Sequence, residues 1–348
     1  MKKRLFAMAL AGTMVMGSLA GCGSSAADEA SSESASSTGE AAAASSSAAS
    51  GSEDIRISMI LKTTSNEYSL LMIAGAEQAG KDLGVSVDVK GATSETAFDE
   101  QQNMIETDLN TGDYDAIIIA PSQGATAATL VSGTDIPIFA IDTDFEADEK
   151  IAYIGIGQAA ASASGAAAGV ELAKERGWED IQCTYIAGIQ GETTSEARKT
   201  GFQEGLEGAG GTFLAEEVQY ANNVADNAVT CMEAIMQNHP EGIAVIGCVN
   251  DDCAIGAARA AAGNEAYKDT VFVGFDGNIS AAESILEGGE TLTIAQSGYD
   301  QGYKAVETAL QYINGESVES FVECGVQIIG EAEAQEYMEG IKVLLGQE

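Results

Sequence analysis

The sequence predicts an α/β protein made of two doubly wound lobes, each a parallel sheet covered by helices. From residue 54 onward, short apolar runs alternate with longer segments of helical periodicity. Several of the runs are continuously apolar, as strands buried on both faces of a parallel sheet are. About ten such strands are more than one modest sheet holds. A chain of 348 residues is long enough for two globular halves with further terminal segments.

The strands and helices are predicted in chain order from this alternation. A first strand over residues 55–61 precedes a helix in which apolar residues recur from Tyr68 to Leu83. A second strand over residues 85–89 precedes a helix marked by Ile105 and Leu109. Further strands are predicted over residues 116–120, 136–141, 181–187, 212–218, 243–249, 271–275 and 292–295, with helices between them and a last helix after residue 301.

The first 52 residues are predicted to be an export signal and a tether. Three cations at positions 2–4 precede a short apolar stretch that closes with Leu-Ala-Gly-Cys, the cysteine being Cys22. This ending resembles a bacterial lipobox, which implies that residues 1–21 are a signal peptide and that Cys22 is lipidated. Ordinary secretion with loss of Cys22 is the alternative. The rest of the tether (residues 22–52) contains no aromatic or branched aliphatic residue, so disorder is predicted.

Composition excludes several classes of function. The chain carries 54 acidic and 16 basic residues, a formal charge of −38, which disfavours binding to nucleic acid and to anionic lipid surfaces. A single histidine disfavours His-rich metal sites and His-based catalytic triads. Five cysteines remain after Cys22, and this odd number at irregular spacing predicts free thiols. No cofactor and no metal are predicted.

Three motifs imitate cofactor or metal sites. Residues 155–160 (GIGQAA) resemble a dinucleotide fingerprint, but no acidic residue ends a strand about twenty residues later. Residues 75–81 spell a phosphate-loop pattern, but Asp82 replaces the required Ser or Thr and the segment has helical periodicity. The alternating acids of residues 142–148 lack the glycine and the final glutamate of a calcium loop.

Polar side chains stand at or just after the ends of the predicted strands. Asp142, Asn250, Asp276 and Gln296 each end a strand, and Asn66 follows the first strand by a few residues. Ligands of open parallel sheets bind outside the carboxyl ends of the strands. A single residue of this kind is often only a helix cap. Their number, drawn from both halves of the chain, predicts one cleft lined by hydrogen-bonding groups.

Six segments carry a resemblance to a known family. They are residues 65–68 (SNEY), 140–142 (AID), 198–202 (RKTGF), 249–252 (VNDD), 273–277 (VGFDG) and 293–296 (TIAQ). Because these segments occur in this order, the chain resembles the type I periplasmic binding proteins of the ribose-binding kind, the sugar receptors of ABC importers. The resemblance covers residues 54–330.

This resemblance implies a domain organisation. An N-terminal lobe would comprise residues 53–157 plus 297–324, and a C-terminal lobe residues 158–296 plus 325–348. Three chain crossings, near Gly157, Gln296 and Cys324, would form the hinge about which the lobes close on a ligand.

The resemblance also implies roles for individual residues. Polar residues in the family's positions for binding sugar hydroxyls are Asn66, Asp142, Arg198, Asn250, Asp276 and Gln296. Tyr68 and Phe275 would hold the apolar face of a sugar ring, with Gln158 as a further candidate at the cleft. For Phe275 the alternative is plain strand core, and for Arg198 a solvent-facing helix cation.

The chain departs from the ribose pattern in ways that bear on the ligand. Thr143 stands where ribose-type members place a second arginine, and the segment just before the helix at Val224, where an aromatic is usual, reads YANN over residues 220–223. Arg198 is then the only fixed cation expected in the cleft, which favours a neutral sugar or polyol over a carboxylated solute.

The sequence therefore predicts a monomeric substrate-binding lipoprotein, anchored by lipid to the outer face of the bacterial cytoplasmic membrane. It would capture a small neutral sugar or polyol and deliver it to the permease subunits of an ABC importer. The alternative is a ligand-binding sensor subunit for a chemoreceptor or histidine kinase. An enzyme is not predicted: the chain has no G-x-S-x-G motif, and the paired acids Asp142 and Asp276 only imitate a glycosidase.

Overall fold

The computed structural model describes residues 55–347. The predicted signal peptide (1–21), the predicted lipidation site Cys22 and the predicted tether (22–52) lie outside the described residues. Within the described range, no helix is both long and apolar enough to cross a bilayer.

The elements alternate between strand and helix along most of the chain. The strands of the described residues are β1 (Arg56–Thr63), β2 (Ser86–Ala92), β3 (Ala116–Ile119), β4 (Ile138–Ile141), β5 (Lys150–Gly155), β6 (Gln182–Ala187), β7 (Thr212–Phe213), β8 (Gln219–Tyr220), β9 (Val245–Cys248), β10 (Val271–Asp276), β11 (Leu292–Gln296), β12 (Phe321–Glu323) and β13 (Val326–Ile329). The helices are α1 (Glu67–Leu83), α2 (Phe98–Thr111), α3 (Gly124–Val131), α4 (Gln158–Glu175), α5 (Thr193–Gly208), α6 (Ala225–Asn238), α7 (Asp251–Ala261), α8 (Ile279–Leu286), α9 (Gly298–Ile313) and α10 (Glu331–Leu344).

These strands form two sheets, which confirms the predicted α/β class with two parallel-sheet lobes. The first sheet has the order β12-β5-β4-β3-β1-β2, and the second has the order β13-β11-β10-β9-β6-β7, with β8 also paired to β6. Neighbouring strands run parallel throughout, except that β13 is antiparallel to β11. The apolar runs of β3, β4, β9 and β10 are fully buried, as central parallel strands are.

The chain passes three times between the sheets. It leaves the first sheet after β5, returns after β11 to supply β12, and crosses again after β12 to supply β13. The crossing segments touch one another, because Cys324 N donates to Gly155 O at 2.7 Å and Ser297 N donates to Gly325 O at 3.1 Å. The last crossing enters the second sheet at the carboxyl ends of its strands, which is why β13 runs antiparallel. The exact lobe boundaries stay a prediction.

Three parts of the sequence-based assignment differ from the structure. Helix α10 was not predicted, because only the helix after residue 301 was recognised from its periodicity. The strand predicted over residues 212–218 is wrong: two short strands flank a 3₁₀ turn at Ala215–Glu217. The Ala-Glu-Glu sequence of this turn favours helical over extended backbone. Strands β12 and β13 were not predicted, because both are short, largely exposed edge strands without a continuous apolar run.

Glycines allow two helix pairs to pack with their backbones in near contact. A Cβ atom on Gly201 of α5 would lie 2.0 Å from the Ala159 carbonyl oxygen of α4. A Cβ atom on Gly75 of α1 would lie 2.0 Å from the Tyr299 carbonyl oxygen of α9. Only glycine permits approach this close. The α4–α5 contact matters for function because it fixes the helix that carries Arg198.

Gly201→Ala should therefore destabilise the protein by about 1–3 kcal/mol, because the added methyl group must push α5 away from α4. Chemical denaturation followed by circular dichroism measures this. The matched control is Gly208→Ala in the same helix, where a Cβ atom meets nothing within 4 Å. It should change the free energy of unfolding by less than about 1 kcal/mol. Equal stability of the two variants would contradict the close-packing argument.

Candidate ligand-binding cavity

A cavity of about 50 Å³ lies where the carboxyl ends of strands from both sheets face each other. Six of the nine residues predicted for ligand binding line it: Asn66, Tyr68, Asp142, Arg198, Asn250 and Asp276. They come from both halves of the chain, Asn66 and Asp276 being 210 positions apart, and the fold brings them together. Other lining residues were not predicted: Lys62, Ser69, Met72, Glu95, Ala120, Glu192, Thr194, Asn223 and Val249.

The other three predicted residues lie directly behind the cavity wall. Gln296 donates from Nε2 to Asp276 Oδ1 at 2.8 Å, and Gln158 Oε1 accepts from Arg198 Nε at 2.8 Å. The Phe275 ring is fully buried, with its centroid 3.7 Å from the Arg198 Cζ atom. All three contact side chains that reach the cavity. Their assignment as ligand-binding residues stays a prediction.

Arg198 is a fixed cation at the centre of the site. It projects from α5, is 5% exposed, and donates from Nη1 to Val249 O at 2.7 Å and to Asp276 Oδ1 at 3.1 Å. Burial alone would lower the pKa of Arg198, but the carboxylates of Asp276 and Asp142 outweigh burial and raise it. The alternative prediction, that Arg198 is a solvent-facing helix cation, is wrong. Among residues 55–347, Nη2 has no hydrogen-bond partner, which leaves a donor for a ligand.

Asp276 faces Arg198 from the end of β10. Burial raises the pKa of Asp276 to about 7; Arg198 opposes this shift and Asp142 adds to it. Its Oδ1 atom accepts from both Arg198 and Gln296, and Oδ2 accepts from no described group. The carboxyl group therefore has one oxygen held by the protein and one available to a ligand.

Backbone strain is concentrated at this site. Within residues 55–347, the non-glycine residues with positive φ are Asp142 at 62°, Asn222 at 52°, Asn223 at 62° and Asp276 at 114°. Asp142, Asn223 and Asp276 line the cavity, and Asn222 directly precedes Asn223 in the chain. Such conformations cost about 1–3 kcal/mol each and persist where surrounding contacts impose them, commonly at functional sites.

Lys62 is a second cation that the sequence reasoning missed. Its Nζ atom lies 3.0 Å from Glu192 Oε1 and 3.5 Å from Asp142 Oδ2. Burial alone would lower the pKa of Lys62, but Glu192 and Asp142 outweigh it and raise the pKa. The expectation that Arg198 is the only fixed cation in the cleft is therefore wrong. Lys62 stands at the end of the first strand, where a lysine commonly points to solvent, so no pattern marked it.

Further contacts join the two sides of the cavity. Asn66 on one side and Asn223 on the other both donate from Nδ2 to the carboxylate of Glu95, the former at 3.0 Å. Thr143 and Thr194 share a hydroxyl hydrogen bond of 2.8 Å, and Ser280 N donates to Glu67 Oε2 at 3.1 Å. The loops of the two sheets therefore meet around the cavity.

The lining groups suit a ligand rich in hydroxyls. Four of the lining residues keep an acceptor or donor atom without a partner among residues 55–347: Asp142 Oδ1, Asp276 Oδ2, Arg198 Nη2 and Asn250 Nδ2. The buried Tyr68 hydroxyl likewise lacks a described partner. Carboxylates accept from hydroxyls, guanidinium donates, and amides do both. His239, the single histidine of the sequence, lies elsewhere, beside Glu217 and Glu241.

Comparison with known proteins places this architecture in a family. A model of the periplasmic binding protein domain matches residues 57–317. The D-allose-binding periplasmic protein of Escherichia coli (strain K12) is 29% identical over 252 residues, which is 70% of this chain and 80% of that protein. The ribose import binding protein RbsB of the same organism is 27% identical over 267 residues, covering 76% of this chain and 86% of that protein.

Solved structures agree in fold. A carbohydrate transporter solute binding protein from Agrobacterium radiobacter, in complex with D-arabinose, superposes with a TM-score of 0.75 at 26% identity, covering 84% of this chain and 99% of the other. An ABC transporter periplasmic solute binding protein from Actinobacillus succinogenes with bound D-allose gives a TM-score of 0.72 at 25% identity, covering 81% and 100%. Because the family model matches most of the sequence, from the first strand to beyond α9, the chain belongs to the periplasmic binding protein domain family.

Proposed function

We propose that the protein is the substrate-binding component of an ABC importer and captures a small neutral sugar or polyol. The observation that carries this proposal is the cavity between the two sheets, whose lining residues Asp142, Arg198, Asn250 and Asp276 keep hydrogen-bonding atoms without a described protein partner. Relatives named for D-allose and ribose, and structures with bound D-arabinose and D-allose, support a sugar as ligand. They also favour an importer over the sensor alternative.

The charges of the cavity support a neutral ligand. Each of its two cations already faces carboxylates, Lys62 with Glu192 and Asp142, and Arg198 with Asp276. Glu95 adds a further acid to the lining. An anionic solute would meet no cation that is free of a protein partner, and it would be repelled by the surplus of carboxylates.

Capture would proceed by hinge motion. The three adjacent crossings connect the sheets on one side, and the contacts of Lys62 with Glu192 and of Glu95 with Asn223 join the lobes on the other. Opening would break these contacts, and closing over a ligand would re-form them. The closed form would then dock on the permease subunits, with no covalent chemistry.

We further propose an extracytoplasmic, monomeric lipoprotein. The signal-like residues 1–21 and the lipobox-like ending at Cys22 support lipid attachment, and the polar segment that follows would hold the body near the membrane.

A thermal-shift screen of the full-length protein should identify the ligand class. D-ribose, D-allose, D-arabinose or myo-inositol should raise Tm by several degrees, since a ligand at a hundred times its Kd adds about 2.7 kcal/mol of stability. Glucuronate and nucleosides are the comparison compounds. Stabilisation by one of these and by no sugar or polyol would overturn the proposed ligand class.

Asn250→Ser should weaken binding of the sugar found by the screen about tenfold, because it removes the Nδ2 donor. The folded state should be little affected, since serine caps a helix as well as asparagine does, and Asn250 Oδ1 now accepts from Cys253 N at 3.0 Å. Isothermal titration calorimetry measures the affinity. The matched control is Asn264→Ser, which changes a similar cap remote from the cavity. Equal loss of affinity in both variants would refute a direct role for Asn250.

Lipidation can be tested in a bacterial host by labelling the full chain with an alkyne analogue of palmitate. Wild-type protein should carry the label, and Cys22→Ala should lose it. Cys231→Ala, which changes a half-buried cysteine of α6, should retain it. Equal labelling of the two variants would show that Cys22 is not the acceptor.

A further inference from the structure

Two carboxyl groups lie buried behind the cavity wall and take no part in lining it. Asp251, the first residue of α7, is fully buried, and Glu290, which precedes β11, is 1% exposed. Neither forms an ion pair with a cation among residues 55–347. Buried acids without a cation are costly and call for a physical explanation.

Asp251 holds the turn that follows Asp276. Its Oδ2 atom accepts from Asn278 N at 2.7 Å, and its Oδ1 atom accepts from Thr293 Oγ1 at 2.6 Å. Thr293 Oγ1 in turn accepts from Gly277 N at 3.2 Å. Two consecutive backbone amides after Asp276 are thus bound by Asp251, one directly and one through Thr293.

This turn needs such support because its backbone is strained. Asp276 has a φ of 114° and Gly277 a φ of 78°. A non-glycine residue holds this conformation only where its neighbours impose it. The network around Asp251 therefore fixes the direction in which the Asp276 carboxyl enters the cavity.

Glu290 is a buried carboxyl group whose oxygens lack described hydrogen-bond donors. Both carboxyl oxygens are buried, and neither accepts a hydrogen bond from a described donor. The group lies against Gly274 and Asp251: a Cβ atom on Gly274 would be 1.8 Å from Glu290 Oε1 and 2.6 Å from Asp251 Oδ1. Two carboxylates this close and shielded from water cannot both be ionised. A single proton between them would remove one of the two charges and join the carboxyl groups by a hydrogen bond.

The surroundings favour retention of that proton. The titratable groups facing the pair are Asp252 on α7, Cys248 on β9, Asp276 on β10 and Tyr337 on α10, all of them acidic or neutral. Burial raises the pKa of Glu290, and the charge of Asp251 raises it further. Two described arginines lie near this region: Arg176 donates to Thr291 Oγ1 at 3.5 Å, next to Glu290 in the chain, and Arg198 pairs with Asp276. Neither forms an ion pair with Asp251 or Glu290.

We propose that Glu290 is kept as a neutral carboxylic acid that donates its proton to Asp251, and that the pair positions Asp276 for ligand binding. Asp251 and Glu290 are thus positioning residues for the cavity. The link to ligand affinity rests on the proposed function, whereas the shared proton does not.

The shared proton is tested on ligand-free, full-length protein by urea unfolding between pH 5 and pH 7. In the unfolded chain the glutamate pKa is about 4.3, so folding with Glu290 protonated takes up a proton. That stability is fully present at low pH and is lost as pH rises toward the folded-state pKa. The Glu290→Gln variant is the reference, because its side chain keeps a hydrogen-bond donor and does not titrate. The folding equilibrium constant of wild type relative to Glu290→Gln should fall about tenfold or more over this range.

Glu287→Gln is the matched control, because Glu287 is an exposed glutamate only three residues away. The folding equilibrium constant of wild type relative to Glu287→Gln should stay constant with pH. A constant ratio for Glu290→Gln as well would overturn the proposal. Should that variant not fold, wild-type protein carrying ¹³C in the glutamate carboxyls should show one protonated carboxyl resonance at pH 7. Absence of such a resonance would equally overturn it.

The positioning role is tested with a sugar that binds the wild type. Glu290→Ala and Asp251→Asn should weaken binding about tenfold or more, while the conservative Glu290→Gln should retain affinity. Wild-type affinity in folded Glu290→Ala and Asp251→Asn would refute the positioning role. If no sugar binds the wild type, the proposed function fails, and the pH experiment still decides the shared proton.

Discussion

The buried guanidinium of Arg198 is the interaction on which the cavity depends. A charge that is 5% exposed must be paired and hydrogen-bonded, or its desolvation would exceed any gain. Arg198 meets this demand by contacting the start of one helix and the ends of two strands: Gln158 at the start of α4, Val249 just after β9 and Asp276 at the end of β10. These contacts fix the carboxyl ends of neighbouring strands relative to α5. The same requirement explains the glycine contact between α4 and α5, since a displaced α5 would withdraw the cation from its partners.

Sequence reasoning located the cavity through one geometric rule. Parallel strands place their carboxyl ends at one edge of their sheet, so Asn250 and Asp276 could be assigned to the edge of one sheet and Asp142 to that of the other. The number of such polar residues in both halves of the chain then favoured a single cleft. The fold class followed from the apolar runs for a similar reason, because strands buried on both faces leave an unambiguous pattern. The short, exposed strands β12 and β13 leave none.

What sequence could not predict were the contacts made by loops and the depth of individual side chains. Glu95 and Asn223 reach the cavity from loops without periodicity, and Lys62 reaches it from the end of β1. Each of the three has at least one partner across the cavity, Lys62 with Glu192 and Glu95 with Asn223. Gln296 was assigned to the cleft from its strand-end position and Gln158 from the resemblance, and they contact Asp276 and Arg198 from behind. A strand-end position shows that a side chain is near a site, but only packing decides whether it faces the site or supports it. The pairing of Asp251 with Glu290 is of the same kind, since it depends on the absence of a side chain at Gly274.

The three chain crossings have a mechanical consequence. A single linker would let two bodies swivel freely, whereas three strands laid side by side and hydrogen-bonded to each other resist torsion. They leave bending as the easy motion, about an axis that runs across the connecting strands. In the proposed opening, Glu95 would separate from Asn223, because their hydrogen bond joins the two sides of the cavity. A solute that entered there would pass the Glu95 carboxylate, which the amides of Asn66 and Asn223 flank, so selection by charge would begin at the entrance.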